Sequence, residues 1–460
     1  MTDAEQYPPM HLPPRVVPIP TTVSETARGV LSLPAFPAEP WPTDLSDKDA
    51  VAAVVAARDA PAGEAPGMLA NSCFGTAPTG VPVTEQHHQF GPLSIYEAVP
   101  EGVSDDDPRV YLAIHGAWIT GGGELSRMGA EMTAGVFGVR TWAVDYRMPP
   151  HHPYRTPLDD CIAAYRELLK THKPENIAVG GVSGGGNLTL AMLLRARDEG
   201  LPMPSAAIVY TPFADMTLSG DTIHGGLDSA FQFESGELQT IRDIYVDGHD
   251  WLDPYVSPVF GDFTKGFPPT QLCTGTRDFL LSDTVRIHRS LRDAGIEADL
   301  HVWEAAQHFL FLGLAPEDLA RNAESRRFLD RHWGVPAPEA KPSAPLVAEQ
   351  SVIDDPSSKA RDAIVGTWDV EQKSPLGTRT SELTFRDEGG VLVAEAPADD
   401  YGTVYGEITT DGDEVRWVAT VRKPFKMSIV SRVTVSGDTF IGEAKGRIGG
   451  ASPVSATRRR

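Results

Sequence analysis

The chain has 460 residues, of which 41% are hydrophobic and 22% are charged, a composition typical of a soluble globular protein and not of a disordered or collagen-like chain. Asp and Glu outnumber Lys and Arg by 63 to 40, giving a net charge of −23, which disfavours binding to nucleic-acid phosphates. There is no run of 18 apolar residues that would predict a membrane span. The first 20 residues have neither the basic start nor the apolar core of a secretory signal.

Cysteine usage and the absence of a signal predict a cytoplasmic protein. Cys73, Cys161 and Cys273 are far apart and odd in number, so we interpret them as reduced core cysteines. The histidine pairs at 87–88 and 151–152 have no third ligand at a useful spacing, and we expect no metal site and no cofactor.

Proline is frequent in the first 43 residues, which favours extended and irregular backbone there. The first helical pattern covers about 46–58. From residue 83 onward, buried strand patterns alternate with helical ones, which indicates a mostly parallel sheet with helices on both faces. The predicted strands are 109–116, 139–147, 176–182, 205–212, 269–275 and 298–304, and the predicted helices lie near 124–135, 157–171, 186–199, 282–294 and 316–333.

Two stretches interrupt this alternation. Residues 213–262 have no clear rhythm and are a place for an insertion or lid. Residues 336–360 are rich in Pro, Ala and Ser and predict a linker. We therefore expect an N-terminal extension with a cap at 1–80, a catalytic domain at 81–335, and a last domain at 361–460.

The last hundred residues have a different pattern. About eight short strand-like runs recur roughly every ten residues, separated by turn signals such as Ser436-Gly437-Asp438. This spacing without helices predicts a small antiparallel β-barrel.

The sharpest motif is G-x-S-x-G at 181–185, between a predicted strand and a predicted helix. This is the setting of a nucleophile elbow, in which Ser183 occupies a strained turn at the start of a helix. An earlier strand ends in His115-Gly116-Ala117-Trp118. We expect the backbone N–H groups of Gly116, Ala117 and Gly184 to form an oxyanion hole, with His115 bracing the loop and not acting as a base.

An acid and a base follow later in the chain, each at the end of a predicted strand. Asp278 and His308 come after Ser183 in the order of an α/β hydrolase. In this arrangement His308 takes the proton of Ser183, and Asp278 orients the imidazole. We expect Asp145 and Arg147 to form a structural ion pair, and Asp159 and Asp160 to lie near a helix start.

These residues resemble the hormone-sensitive-lipase-like family of α/β hydrolases over about 85–330. The resemblance rests on the His-Gly loop, the VDYRMPPHHPYRTPLDDC segment at 144–161, GVSGGGN at the elbow, the segment 253–283 and the run from Glu304 to His308. It implies ester or lactone hydrolysis by Ser183, Asp278 and His308, and an N-terminal helical cap at about 40–80 over an acyl pocket. Val182 and Ala117 depart from the family pattern, which implies an altered substrate preference. The family often dimerises, so a homodimer is a further expectation.

The C-terminal domain resembles a small lipocalin-like barrel, on the basis of Gly366-Thr367-Trp368 and the terminal Arg458 and Arg459. Its role stays open between subunit contact, holding an apolar substrate and covering the active-site mouth. Two functional alternatives to an esterase also stay open: a non-catalytic small-molecule receptor on the same scaffold, and an acyltransferase or lactone-opening enzyme with the same triad.

Overall fold

The computed structural model describes the chain in the ranges 17–33, 40–59, 81–225, 227–228, 236–313, 315–335, 360, 362–374, 377–388, 391–397, 403–411, 414–421, 427–446 and 452–459. The chain divides into two compact units, Met1–Ala340 and Lys341–Arg460. Two predicted segments lie outside the described residues: the linker, apart from residue 360, and the part of the cap at 60–80. Cys73 lies outside them as well.

The first unit is built on a sheet of eight strands within the described residues, in the order β1-β2-β4-β3-β5-β6-β7-β8. The first two strands join the sheet antiparallel, and β3 to β8 are mutually parallel. The strands are β1 (Val83–Phe90), β2 (Leu93–Pro100), β3 (Val110–Ile114), β4 (Arg140–Asp145), β5 (Ile177–Val182), β6 (Ala206–Tyr210), β7 (Thr270–Gly275) and β8 (Ala298–Trp303). This is the predicted α/β-hydrolase sheet.

Helices connect the parallel strands and complete the unit. They are α1 (Glu25–Leu31), α2 (Lys48–Asp59), α3 (Glu124–Phe137), α4 (Thr156–Thr171), α5 (Gly184–Asp198), α6 (Glu237–Val246), α7 (Leu281–Asp293) and α8 (Pro316–His332). Short 3-10 helices lie at Pro174–Asn176, Asp221–His224, Pro258–Phe260 and Phe263–Lys265. No helix in the described ranges is long and apolar enough to cross a membrane.

The core lies on both faces of the central strands. β3 is buried at every position, and α5, which follows β5, is buried on nearly all sides. The continuous burial of β3 is the pattern of a parallel strand covered on both faces. Because parallel strands end at one edge, the loops after β3, β5, β7 and β8 meet there, and this edge holds the residues singled out from the sequence.

Three elements were not predicted from the sequence pattern. In the hairpin of β1 and β2, strand β1 has polar, exposed positions, among them His87, whereas β2 alternates buried positions such as Ile95 with partly exposed ones. Helix α1 lies inside the proline-rich start, where extended backbone was predicted. Ser24 caps this short helix by accepting a hydrogen bond from the N–H of Ala27. Helix α6 lies within the irregular 213–262 stretch, with Tyr245 and Val246 fully buried.

The two described cysteines are buried and free, as expected of core cysteines. Burial raises the pKa of the Cys161 thiol and raises that of the Cys273 thiol to about 12. Both therefore stay protonated thiols near neutral pH and are poor nucleophiles.

The second unit is a nearly closed antiparallel barrel of eight described strands, in the order β11-β10-β9-β16-β15-β14-β13-β12. The barrel predicted from the turn spacing is therefore confirmed. Its strands are β9 (Gly366–Ser374), β10 (Gly377–Glu388), β11 (Val391–Glu395), β12 (Val404–Asp411), β13 (Glu414–Val421), β14 (Met427–Ser436), β15 (Thr439–Gly446) and β16 (Ser452–Arg458).

Large side chains pack the inside of this barrel. Trp368, Phe385 and Phe440 are fully buried and in one core cluster. The guanidinium of Arg458 lies 4.3 Å from the ring of Trp368 and donates hydrogen bonds to the carbonyls of Ala363 and Val365. The first and last strands of the barrel are thus joined by Trp368 and Arg458, two of the residues on which the lipocalin resemblance rests, and β9 and β16 are paired directly.

We expect Trp368→Ala to lower the free energy of unfolding of the barrel by about 3–5 kcal/mol, because it removes a fully buried tryptophan from the core and leaves a cavity. Amide hydrogen exchange of the full chain, read in the strands β9 to β16, measures this loss. Ile441→Ala is the control, since this side chain is 68% exposed and its removal should change stability by no more than about 0.5 kcal/mol. Equal exchange in the two variants would contradict the packing role of Trp368.

Candidate active site

Ser183 lies in a sharp turn between β5 and α5. Its φ is 55° and its ψ is −119°, a conformation that non-glycine residues rarely adopt. The turn is fixed on both sides, because Ser183 donates its N–H to the carbonyl of Tyr210 (2.9 Å) and accepts from the N–H of Asn187 (3.0 Å). This strained strand-to-helix turn is the geometry predicted from the G-x-S-x-G motif.

Glycines make this turn possible. A Cβ on Gly181 would lie 2.4 Å from the carbonyl oxygen of Gly185. A Cβ on Gly185 would lie 2.2 Å from the carbonyl oxygen of Ile114, at the end of β3. Any side chain at these two positions would therefore separate the turn from the neighbouring strand.

The structure brings Ser183, His308 and Asp278 together into one chain of contacts. Ser183 Oγ lies 2.8 Å from His308 Nε2, and His308 Nδ1 lies 3.0 Å from Asp278 Oδ1. An ionised carboxylate only accepts hydrogen bonds, so the proton of a neutral imidazole sits on Nδ1. In this tautomer Nε2 carries a lone pair and accepts the hydrogen bond of the serine hydroxyl.

The carboxylate of Asp278 is held in place by further donors. The hydroxyl of Thr274 donates to Oδ2 (2.6 Å), and the N–H of Leu280 donates to Oδ1 (2.9 Å). The imidazole of His308 contacts the rings of Phe279 and Phe309, with centroids at 4.4 and 4.5 Å. Asp278 and His308 are both buried, so water does not compete for their contact.

The three amides expected to bind an oxyanion lie close to one another. A Cβ on Gly184 would lie 3.0 Å from the N atom of Ala117, and one on Gly116 would lie 2.9 Å from the carbonyl of Val182. Ala117 has a φ of 67°, which turns the loop over the elbow. Among the described residues, none of the three N–H groups donates a hydrogen bond. Free amides next to the start of a helix form a site for negative charge.

His115 lies beneath this loop and braces it. Its ring stacks on Tyr146 with centroids 4.0 Å apart, and Nδ1 lies 3.0 Å from the carbonyl oxygen of Gly116. The hydroxyl of Tyr146 donates to the carbonyls of His115 and Gly116. Burial lowers the pKa of His115 to about 4, so its ring is neutral at pH 7.

The predicted ion pair between Asp145 and Arg147 is wrong. Arg147 pairs with Asp160, at 2.7 Å, and also donates its backbone N–H to this carboxylate. Asp145 accepts instead from the N–H of Gly123, at 2.9 Å. Asp160 does lie near the start of α4, as expected, and the pair ties the end of β4 to that helix.

One aspartate near the site, Asp228, belongs to no recognisable sequence motif. Asp228, buried to 4% exposure, accepts the backbone N–H of His308 at 2.7 Å. It follows the 3-10 helix Asp221–His224 in the irregular stretch, 80 positions before the histidine. No local pattern distinguishes it from the many surface aspartates of this acidic chain, and only the three-dimensional contact identifies it.

A second unexpected contact comes from the N-terminus. Val23 and helix α1 pack against the histidine loop in one apolar cluster with Val182, Phe309 and Leu310. Ser24 fixes this arrangement by donating its N–H and its hydroxyl to the carboxylate of Glu317, at 2.7 and 2.8 Å. The loop that holds His308 is therefore covered by Val23 and helix α1.

Within the described ranges, no group of three or more His, Cys, Asp or Glu side chains is placed to hold a metal ion. His88 is 2.6 Å from Glu97, and His87 is 2.8 Å from the hydroxyl of Ser94.

His115 predicts a pH dependence of stability. Its pKa is about 4 in the folded chain and near 6.5 in an unfolded one, so the unfolded chain binds more protons between these values. The free energy of unfolding therefore rises with pH over this window. The free energy of unfolding should therefore be larger at pH 7.5 than at pH 5. We expect His115→Gln to reduce this difference by on the order of 2 kcal/mol.

Urea unfolding at these two pH values measures the effect. His152→Gln is the control, because this histidine is exposed. If the two variants show the same pH dependence, the buried ring of His115 is not the cause.

Comparison with known proteins agrees with this geometry. Residues 111–312 match a family model described as the α/β hydrolase fold. An acetyl-hydrolase of Streptomyces hygroscopicus is 29% identical over 204 residues, covering 44% of this chain and 68% of the relative. An esterase of Acinetobacter venetianus is 32% identical over 198 residues, covering 41% of this chain and 64% of the relative. The chain thus spans about two thirds of the length of these curated relatives.

Solved structures give a longer match. The crystal structure of esterase E25 has 33% sequence identity and a TM-score of 0.62, and the match covers 70% of this chain and 99% of the esterase. A structure of the protein EstE5 has 25% identity and a TM-score of 0.55, covering 67% of this chain and 97% of the other. The chain therefore belongs to the α/β-hydrolase fold family, among ester-hydrolysing enzymes.

Proposed function

We propose that this enzyme is a serine carboxylesterase that works through an acyl-enzyme intermediate. The observation that carries the proposal is the pair of contacts from Ser183 Oγ to His308 Nε2 (2.8 Å) and from His308 Nδ1 to Asp278 Oδ1 (3.0 Å). A serine hydroxyl is a weak nucleophile at neutral pH, and a base at hydrogen-bond distance is what activates it.

In the first half of the reaction, Ser183 Oγ attacks the ester carbonyl carbon, and its proton passes to Nε2 of His308. The carbonyl oxygen becomes negatively charged and accepts hydrogen bonds from the amides of Gly116, Ala117 and Gly184. Each such donor contributes about 2.7–4 kcal/mol to the stability of the transition state in comparable sites. Collapse of the tetrahedral intermediate breaks the bond to the alcohol oxygen, which takes the proton from His308.

In the second half, water replaces the alcohol. It loses a proton to His308, attacks the acyl carbon and forms a second tetrahedral intermediate in the same amide site. Collapse returns the proton to Ser183 and releases the carboxylic acid. Asp278 stabilises the imidazolium in both halves without itself taking the proton. The complete reaction consumes one ester and one water and needs no other reactant.

The substrate class proposed is carboxylic esters, with lactones included because a lactone is a cyclic ester with the same reacting carbonyl. Transfer of the acyl group to an alcohol in place of water would use the same steps. A non-catalytic receptor role is not favoured, because the nucleophile, base and acid are all present and in contact.

We expect Ser183→Ala to lower kcat for p-nitrophenyl acetate by at least about 10⁴-fold, because it removes the hydroxyl that lies 2.8 Å from His308 Nε2 and attacks the ester. Steady-state kinetics measures the loss, and a fluorophosphonate probe should label the wild type and not the variant. Ser205→Ala is the matched control, since Ser205 donates to the carbonyl of Ile177 at the start of β5, the end of that strand remote from the elbow. Undiminished turnover by the pure Ser183 variant would exclude the proposal.

We expect Asp228→Ala to lower kcat about tenfold or more with a small change in KM, because a slight shift of the His308 backbone misaligns its imidazole. Asp228→Asn keeps an oxygen that accepts the His308 N–H and should retain most of the activity. The exposed Asp221, in the same stretch, supplies the control Asp221→Ala. Equal kcat values for the alanine and asparagine variants would argue against positioning through this hydrogen bond.

A further inference from the structure

The carboxylate of Asp278 receives a hydrogen bond on the side that His308 does not use. Its Oδ1 lies 3.0 Å from His308 Nδ1 and accepts the N–H of Leu280 at 2.9 Å. Its Oδ2 accepts the hydroxyl of Thr274 at 2.6 Å, the only donor to this oxygen among the described residues. One half of the carboxylate therefore depends on a single side chain.

The two partners of this hydrogen bond are closed off from water. The side chain of Asp278 is 0% exposed, and Thr274 is fully buried. A hydroxyl that donates to a carboxylate at so short a distance forms a charge-assisted bond, which is stronger than a bond between neutral groups. A buried carboxylate oxygen that loses its donor costs free energy, because water cannot reach it to replace the bond.

The hydroxyl of Thr274 is held by a rigid frame. Thr274 lies in β7, which is buried at every position. After this strand, the N–H of Arg277 donates to the carbonyl of Ala306 at 3.0 Å. The N–H of Ala305 donates to Thr276 Oγ1 at 2.8 Å, so the loops that carry the acid and the histidine are tied together. Within this frame a carboxylate still turns easily about its Cβ–Cγ bond, and the hydroxyl of Thr274 limits that rotation.

We propose that Thr274 is a positioning residue for the esterase reaction and keeps Oδ1 of Asp278 directed at the imidazole of His308. The inference rests on the proposed function and adds to it a residue that acts through the acid without touching the substrate. Loss of the hydroxyl leaves Oδ2 buried without a donor, so the carboxylate turns and Oδ1 no longer faces Nδ1. The imidazole is then held less firmly in the tautomer that accepts the serine proton.

Thr274→Val removes the hydroxyl and keeps the branched shape of the side chain. We expect it to lower kcat for p-nitrophenyl acetate about tenfold or more, because a small misplacement of a catalytic group has an effect of this size. KM should change by less than about twofold, since Asp278 and His308 separate Thr274 from Ser183. Thr274→Ser keeps the donor and should retain most of the activity.

Thr270→Val is the matched control. Thr270 is a fully buried threonine at the start of the same strand, and its hydroxyl donates to the carbonyl of Pro268 at 2.8 Å. The acid follows the other end of β7. The loss of this hydroxyl should therefore leave kcat unchanged within about twofold.

A second measurement separates action through Asp278 from a general loss of structure. In the Asp278→Ala background, Thr274→Val has no carboxylate to act on and should lower kcat by less than about twofold, since residues that act as a unit are not additive. The rate at which a fluorophosphonate labels Ser183 gives the same comparison where turnover is slow. Thermal unfolding shows whether each variant is folded, and Thr274→Ala replaces the valine variant if that one does not fold.

A folded Thr274→Val enzyme with the wild-type kcat would overturn this inference and leave the proposed function intact. An equal loss in the two backgrounds, or a serine variant as slow as the valine variant, would do the same. A wild type that cleaves neither p-nitrophenyl acetate nor p-nitrophenyl butyrate would overturn the proposed function and this inference together.

Discussion

The site depends on the close contact between the end of β3 and the turn that carries Ser183. The carbonyls of Ile114 and His115 lie where a Cβ on Gly185 would be, at 2.2 and 2.4 Å. Hard-sphere repulsion at such distances excludes every residue except glycine. Because the strand end is this close, the loop after β3 brings the amides of Gly116 and Ala117 beside Ser183, the proposed nucleophile. In the proposed mechanism, one backbone contact thus determines where the negative charge of the oxyanion is stabilised.

The histidine is positioned by parts of the chain that are far apart in sequence. Asp278 holds its ring, Asp228 holds its backbone N–H, and helix α1 covers its loop from behind. The loop itself has positive φ at Ala305 and Leu310, a conformation that needs support from its surroundings. Contacts from several directions supply that support, and an imidazole that has to meet two partners within hydrogen-bond distance requires it.

The sequence predicted what local patterns encode. The parallel strands have buried apolar runs, and Ser183, Asp278 and His308 follow strand ends, so the edge where they meet could be inferred. The barrel strands and their turns are equally local, and Trp368 and Arg458 were recognisable as its ends. The predicted domain boundaries depend mostly on residues outside the described ranges and stay a prediction.

Contacts between distant residues were not predictable. Asp228 belongs to a stretch without periodicity, and α1 is a seven-residue helix stabilised by Glu317, 293 positions later. Short helices depend on tertiary packing, which no local pattern reports. The ion pair predicted for Arg147 was wrong for a different reason. Its neighbour Asp145 was the obvious partner two positions away, but Asp160 on the next helix has the better geometry, with hydrogen bonds to both the backbone N–H and the guanidinium of Arg147.

Helix α1 also bears on how this enzyme can be shortened. The stretch shared with the family begins at residue 111, whereas the apolar surface that backs the histidine loop comes from residues 23–31. A version trimmed to the shared stretch would expose Phe309 and Leu310 to water and leave Glu317 without Ser24. Recombinant versions meant for crystallography or biocatalysis therefore need to begin upstream of Pro18, whose carbonyl accepts a hydrogen bond from Arg277, the neighbour of Asp278.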